Sequence, residues 1–521
     1  MDTIAKPTVH LLAEALRAYG VRRVVVSPGS RCAPVTAAFH RSGFFELTSV
    51  IDERAAAFVG LGIALQTGSP VALVCTSGTA PLNYGPALAE AYYHRVPLIA
   101  ITTDRPAALV DQRDSQTIRQ LGALSSVVRK SIGIADDASP RYLSTVSRRL
   151  NEILTEATGR IPGPVQINLE LDAPLTPLAP APASSFRKIE TWRVSDKNIP
   201  AGLIESIPSG ARILVVAGGL TPDAELQKAL YTLAADEKAA IFAETQSNLH
   251  GFCTHFPGDI DFSSLPAPDV VVSLGGSLVS GRMKAYLRRC KSIRHISLGY
   301  DDCLVDTFFR LSDVVEADAA TFFNALSERL TPSEEFCREW LSTFGRTSAW
   351  DTVQRLQSLV DAFADADFHF SNGSSARYAQ LLNFPQSSRV ECNRGVSGID
   401  GATSTAMGYA LASPKPVVFF TGDMSAAYDL GAFALGLVPD TFRMVVLDNQ
   451  GGDIFRAVAT TKHLEEREQY FVMPPCLPLD RLSQAYGFTY FDNDIHNFIN
   501  HNGTPAILRL QIAPGDADKL F

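Results

Sequence analysis

An α/β architecture of three doubly wound parallel-sheet domains, the first and third related by duplication, is predicted by three features of the sequence. Short runs of Val, Ile and Leu without period-two alternation keep alternating with longer helix-forming stretches, the pattern of parallel strands covered on both faces. The 521 residues amount to three or four domains at ~150 residues each. Landmarks of the first block recur in the last at one offset: Ser27 and Ser371, Pro70 and Pro414, Gly78 and Gly422, Asp104 and Asp448 each stand 344 residues apart. Four matches in order without a gap indicate a repeated fold.

The elements follow in chain order. The first domain, 1–180, carries the strand runs VRRVVVS, PVALVCT and PLIAITT, with helix-forming AAAFVGLGIALQ and GPALAEAYYHR between them. Between Asp172 and Pro200 five prolines (174, 177, 180, 182 and 200) interrupt any periodic pattern. That stretch reads as a linker, assigned to 181–200. A central α/β domain, 201–345, contains the strands RILVVAGG, DVVVSLGG and SIRHISLGY, and a polar helical stretch from Ser333 to about Ala364 bridges onward. The last domain, 346–521, contains FHFSNGSS, KPVVFFTGD, FRMVVLDN and AILRLQI. Ligands of open parallel sheets sit at the strands' carboxyl ends, where both copies hold their polar loops.

Composition excludes several function classes. With 46% hydrophobic and 19% charged residues the chain is not disordered, and a net charge of −9 argues against a general polyanion binder. No apolar run approaches the ~18–20 residues of a membrane span, and the start MDTIAKPTVH lacks a secretory signal's apolar stretch. The eight cysteines contain no CxxC pair, and most sit among small or apolar neighbours. They read as reduced thiols, so a cytoplasmic protein is expected.

The last domain carries the strongest chemical signal. Gly422-Asp423 ends one strand run, and Asp448-Asn449-Gln450-Gly451 ends the next, with 25 residues between Asp423 and Asn449. That length fits one helix and one strand, so adjacent parallel strands bring a carboxylate and a carboxamide to one sheet edge. Such hard oxygen donors suit Mg²⁺ that keeps diphosphate oxygens in its shell. The helix after Gly422 (SAAYDLGAFALG) presents free backbone N–H groups to the same phosphates. An Asp helix cap and a loop Asn are the plainer explanation of either motif alone; their spacing favours the metal and diphosphate.

Taken with its other motifs, the chain resembles the 2-succinyl-5-enolpyruvyl-6-hydroxy-3-cyclohexene-1-carboxylate synthase family of thiamin diphosphate-dependent enzymes. The resemblance is carried by SPGSR (27–31), DER (52–54), TSGTA (76–80), TDRP (103–106), DSQTIRQ (114–120), NRGVSGIDG (393–401), GDMSAAYD (422–429) and GGDIFR (451–456). It spans both outer domains, while the central one matches only loosely. It implies a transferase of menaquinone biosynthesis that decarboxylates 2-oxoglutarate and adds the succinyl carbanion equivalent to isochorismate, with CO₂ released. The cofactors implied are thiamin diphosphate and Mg²⁺ (or Mn²⁺). The first domain would bind the pyrimidine and the last the diphosphate and metal. A homodimer or homotetramer with sites between subunits is implied too.

The resemblance assigns roles residue by residue. Glu53 matches the acid that contacts the pyrimidine ring nitrogen; by position alone it is an ordinary first-turn residue favoured by the helix dipole. Burial beside apolar groups would hold that acid protonated. Ile399 matches the bulky residue that keeps the cofactor bent, a positioning effect. Asp423, Asn449 and Gly451 would hold the metal, and Gly422, Met424 and Ser425 the diphosphate. Arg394 and Gln116 are implied at the reacting centre. Two dianionic substrates call for arginines, which the motifs supply as Arg31, Arg105, Arg377 and Arg394, with Arg282 of SGRMK; Ser30 and Gln116 add neutral hydrogen bonds. Ile454 and Phe455 would form an apolar wall for the isochorismate ring.

Three positions depart from the family pattern: Asp448 replaces the first Asn of the metal turn, Gly373 replaces a Ser after Asn372, and Met283 stands where a second basic residue follows Arg282. None of the ten histidines forms an adjacent pair. Three other readings stay open. One is a further thiamin diphosphate carboligase of the acetolactate-synthase kind, against which the arginines argue. Another is a non-catalytic ligand-binding relative with a degenerate site. A dinucleotide dehydrogenase is weaker, because VVAGGL lacks a full GxGxxG.

Overall fold

A computed structural model of the chain describes residues 2–180, 186–192, 195–254, 265–343, 350–436 and 438–520. Three parallel sheets are present. In the first domain the strands Glu46–Ser49, Arg23–Val26, Val71–Cys75, Leu98–Asp104, Val165–Glu170 and Lys130–Ile134 lie side by side in that order. In the last domain the order is Val390–Cys392, Asp367–Phe370, Val417–Gly422, Phe442–Asp448, Ala506–Gln511, Thr489–Asp492. Numbered along the chain, both sheets run 2-1-3-4-6-5. The duplication seen in the 344-residue offset is thus a duplication of topology. The central sheet has five strands in the order Ala239–Ala243, Ile213–Ala217, Val270–Leu274, Arg294–Leu298, Leu311–Val315.

The strands form where Val, Ile and Leu runs were read, and their burial on both faces explains the missing alternation: Val71–Cys75 and Leu98–Asp104 are buried at every residue. The joint between the two copies is the helix pair Glu53–Thr67 and Ala402–Ala412. From Ala55 to Leu65 the first of these is buried throughout. Glycines let the two backbones touch: a Cβ on Gly62 would lie 2.0 Å from the Thr405 carbonyl oxygen, and one on Gly408 would lie 2.2 Å from that of Val59. One apolar core therefore runs from Phe58 and Leu73 of the first domain to Met407 and Phe419 of the last. The central domain attaches to both: Thr245 N donates to Gln380 Oε1 (2.9 Å) and Val390 N to Asn248 Oδ1 (2.7 Å), while Arg129 pairs with Asp302 at 2.5 Å.

Two stretches differ from expectation. Within the proline-rich segment, Leu178–Pro180 forms a short strand antiparallel to Asp2–Ile4, a pairing three residues long and too brief to show a period. Residues 181–185 and 193–194 of the 181–200 linker lie outside the described residues. The bridging stretch is two helices, Glu334–Thr343 and Asp351–Ala362. The first buries Phe336, Cys337 and Trp340 against the central domain; the second buries Val353, Leu356 and Val360 in the core of the last. The 345/346 boundary lies outside the described residues. Among the described residues no helix is long and apolar enough to cross a membrane.

Candidate active site

At the carboxyl edge of the last sheet, strand Val417–Gly422 runs straight into helix Asp423–Tyr428, and its neighbour Phe442–Asp448 into the turn Asn449–Gly451. Gly422 pairs with Leu447 across the two strands, so Asp423 and Asn449 are brought to one point. The buried Asp423 carboxylate accepts from Gly451 N at 2.7 Å and Met424 N at 2.7 Å. Burial pushes its pKa up to about 6, against the pull of those two N–H groups. Asn449 is buried beside it. Gly451 has φ +109°, and a Cβ there would sit 2.2 Å from the Val472 carbonyl oxygen, so only glycine closes this turn. A cavity of about 450 Å³, lined in part by Asp423, Asp448, Gln450 and Arg509, opens alongside.

The donor set here is carboxylate, carboxamide and backbone carbonyl, all oxygen, which fits a small hard cation that keeps several outside ligands. Among the described residues no group of three or more His, Cys, Asp or Glu converges as a metal site. The extra charge of Asp448 is taken up locally: its Oδ2 accepts from Arg509 Nε (2.7 Å) and lies 2.7 Å from Arg509 Nη2.

The loop 393–399 lies beside this cradle. Ser425 Oγ donates to the Ile399 carbonyl (2.6 Å), which ties Ile399 to the first turn after Asp423. Asn372 holds the loop from one side, its Nδ2 donating to the carbonyls of Asn393 and Gly398. Its Oδ1 accepts from Arg394 Nη1 at 3.2 Å. The adjacent Gly373 has φ +84°, a left-handed conformation that a serine adopts with strain. Arg377 Nη1 donates to the Gly373 carbonyl (2.9 Å), and burial followed by the charge of Arg394 pushes its pKa down to about 10. Two guanidiniums held close together in partial burial make a site that favours an anion.

In the first domain Glu53 opens its helix behind the N-cap Asp52, whose side chain accepts from Arg54 N and Ala55 N. Glu53 is half-buried in the single chain. Its charge is felt at Cys32, Cys75 and Tyr84 of its own domain. Ser30 is exposed in the loop after Ser27. Arg31 Nη1 donates to the Leu171 carbonyl (2.6 Å), Arg105 Nη1 pairs with Asp114 (2.8 Å), and Gln116 Nε2 donates to the Ser77 carbonyl (3.1 Å). Burial and then the charge of Arg105 lower the Arg31 pKa, against the pull of Asp172, Asp114 and Asp104.

The predicted residues therefore gather in two groups. Asp423, Met424, Ser425, Asn449, Gly451, Ile399, Arg377 and Arg394 meet in the last domain; Ser30, Arg31, Arg105, Gln116 and Glu53 stand at the edge of the first. Ile454 and Phe455 are half-buried on the short helix Ile454–Ala457, with Phe455 packed against Phe471 at 5.6 Å between ring centres. Arg282 is half-buried on the central-domain helix Gly281–Arg289, where Met283 is wholly buried.

Sequence reasoning missed Glu90. It lies on the first-domain helix Gly85–His94, is 2% exposed, and accepts from Gly395 N (2.6 Å) and Val396 N (2.8 Å) of the Arg394 loop. Burial would raise its pKa, but the bond and charge of His94 and these two N–H groups hold it below the usual carboxylate range. Its partners are some 305 residues away in sequence, so the only signal was a glutamate on an otherwise apolar helix face.

Residues 7–123 match the family described as thiamine pyrophosphate enzyme, N-terminal TPP binding domain. The chain is 36% identical to a protein of Desulfotalea psychrophila named 2-succinyl-5-enolpyruvyl-6-hydroxy-3-cyclohexene-1-carboxylate synthase, with 99% of this chain and 100% of that protein covered. Proteins of the same name match from Porphyromonas gingivalis (34%; 94% of this chain, 90% of that one) and Flavobacterium johnsoniae (34%; 94% and 92%).

Proposed function

This chain belongs to the 2-succinyl-5-enolpyruvyl-6-hydroxy-3-cyclohexene-1-carboxylate synthase family, and from that premise we propose that it joins 2-oxoglutarate to isochorismate with loss of CO₂, as a step of menaquinone biosynthesis. The observation that carries this reading is the convergence of the Asp423–Asn449–Gly451 oxygen cradle with the Ile399 loop and the Arg377–Arg394 pair.

Thiamin diphosphate, when bound, supplies the carbon nucleophile and the electron sink for decarboxylation. The chain's own residues bind and orient. Asp423, Asn449 and the Gly451 carbonyl would hold Mg²⁺ or Mn²⁺, and the N–H group of Ser425 would face the diphosphate, while that of Met424, expected to do the same, donates to Asp423 Oδ1 instead. Ile399, fixed by Ser425, would support the bent cofactor, and Glu53 would hold a proton at the pyrimidine nitrogen. Arg394, Arg377, Arg282, Arg31 and Arg105, with Ser30 and Gln116, would orient the carboxylates of the two acids. Ile454 and Phe455 would exclude water from the apolar ring face.

Glu53 is read as acting across a homodimer or larger assembly, on the partner's cradle. Arg54, beside Glu53, donates to the Tyr428 carbonyl of its own chain (3.1 Å), at the far end of the helix that Asp423 opens. Around that junction Ile51, Tyr428 and Leu430 are 81%, 53% and 39% exposed, apolar surface that a second copy would cover. The cytoplasm is the proposed location, in keeping with cysteines read as reduced thiols.

The test is direct: incubate the protein with thiamin diphosphate, Mg²⁺, isochorismate and either 2-oxoglutarate or pyruvate, then identify products by mass. An adduct formed with release of CO₂ is expected from 2-oxoglutarate alone; an adduct only with pyruvate, or none, overturns the reading.

A further inference from the structure

The central domain approaches the Arg394 loop through a small polar device. Strand Ala239–Ala243 ends at Glu244, which is wholly buried. Its Oε2 accepts from Val279 N at 2.6 Å and from Gln246 Nε2 at 2.6 Å, and its Oε1 from Ser280 N at 2.6 Å. These bonds pin the turn 278–280 and present the Leu278 carbonyl to two cations. Arg394 Nη2 donates to it at 3.2 Å, and so does Lys284 Nζ, at 3.2 Å, from helix Gly281–Arg289. Met283 cannot serve here, being packed in the core with Phe336 and Trp340.

Lys284 and Arg394 are thus two positive heads on either side of one neutral oxygen, and among the described residues neither is in an ion pair. Arg377 is the third cation of the group, within reach of the charges of both Arg394 and Glu244. Burial first, and then the arginines' charges, lower the Lys284 pKa despite the attraction of Glu244. Glu244 already accepts three hydrogen bonds, so it has little left to offer a mobile ammonium. A carboxylate entering between the cations would gain charge-assisted bonds and relieve their repulsion.

We propose that Lys284 binds a carboxylate of the acidic substrate together with Arg394 and Arg377, so that the central domain contributes a substrate-binding cation held in place by Glu244. The inference rests on the function proposed above and deepens it. Its ligand is a dicarboxylic acid of the 2-oxoglutarate class, for which glutarate is a non-reacting probe.

The test compares wild type, K284M and K284R, each loaded with thiamin diphosphate and Mg²⁺. For both substrates, 2-oxoglutarate and isochorismate, kcat and KM are measured separately, and glutarate and cofactor affinities are measured by calorimetry. In K284M we expect glutarate binding to weaken and the 2-oxoglutarate KM to rise, each roughly 10–100-fold, with cofactor affinity and the isochorismate KM unchanged. K284R should recover most of the loss. Unchanged KM values and glutarate affinity in K284M overturn the proposal, as does a loss of cofactor affinity instead. A wild type without turnover but with Lys284-dependent glutarate binding refutes the reaction while leaving the carboxylate site standing. Absence of both refutes both.

Discussion

The first and last domains share one strand order, 2-1-3-4-6-5, yet their carboxyl edges hold opposite chemistry. At the 344-residue offset, Asp423 of the last domain corresponds to Thr79 of the first, and Asn449 to Arg105. A carboxylate and a carboxamide in one copy stand where the other has a neutral hydroxyl and a guanidinium. The edge of the first is also closed by side chains: Gln120 Oε1 accepts from Gly78 N (3.0 Å), and its Nε2 donates to Asn168 Oδ1 (2.8 Å). The equivalent edge of the last stays open beside its 450 Å³ cavity. Even the shared aspartates are handled differently. Asp104 is bound by Asn168 Nδ2 (2.9 Å) and Asp448 by Arg509 Nε (2.7 Å), although both partners occupy the same register on the neighbouring strand. A duplicated sheet thus keeps the places of its functional positions and leaves their chemistry free to diverge.

The contrast can be broken most severely in the first domain. Glu53→Gln should lower turnover by roughly 10²–10⁴-fold while the melting temperature stays near wild type; full activity, followed as CO₂ release, would remove Glu53 from the chemistry. In the last domain Asp423→Ala should abolish thiamin diphosphate binding in Mg²⁺, read by calorimetry, whereas Thr79→Ala at the matching place should leave it intact. A smaller effect is expected from Arg509→Met, which strips Asp448 of its partner. Cofactor affinity should fall by about threefold to tenfold, as ~1 kcal/mol of pairing is lost, and should return in the Asp448→Asn/Arg509→Met double variant.

The last effect, on stability and not on turnover or cofactor binding, concerns Asp429, which has Gly85 as its counterpart. Asp429 accepts from Ser404 N (2.6 Å), and burial pushes its carboxyl up to about 6. Its folded pKa lies above the unfolded ~3.9, so the native state binds the extra proton between about pH 4 and 6, and ionisation costs stability as pH rises through that window. Asp429→Asn should flatten this part of the pH profile, by on the order of 1–3 kcal/mol. Urea midpoints at pH 4.5 and pH 7 in wild type and variant would check it.

What the sequence shows well is what repeats or lies close along the chain. The valine-rich strands, the glycine turn at Gly451 and the spacing from Asp423 to Asn449 are local consequences of burial and of parallel-strand connection length, and all could be read directly. Arg509 could not be matched to Asp448, because that pairing depends on which strands are neighbours 61 residues apart. Glu90 and Glu244 were invisible for the same reason: each caps backbone N–H groups of a turn, and a cap has no signature when its glutamate is far away in sequence. Met283 reads, against the motif, as a lost cation. Its burial in the helix face shows why an apolar residue stands there, with the charge carried one position further on.

The contact of main chain with main chain at Gly62 and Gly408 has a mechanical consequence. Where side chains interlock, two bodies can slide from one set of rotamers to another, but backbones in direct touch have no such slack. The twin sheets of the chain should therefore travel as one rigid frame through every turnover. Any gating of substrate entry falls to the periphery of that frame, where the 393–399 loop lies.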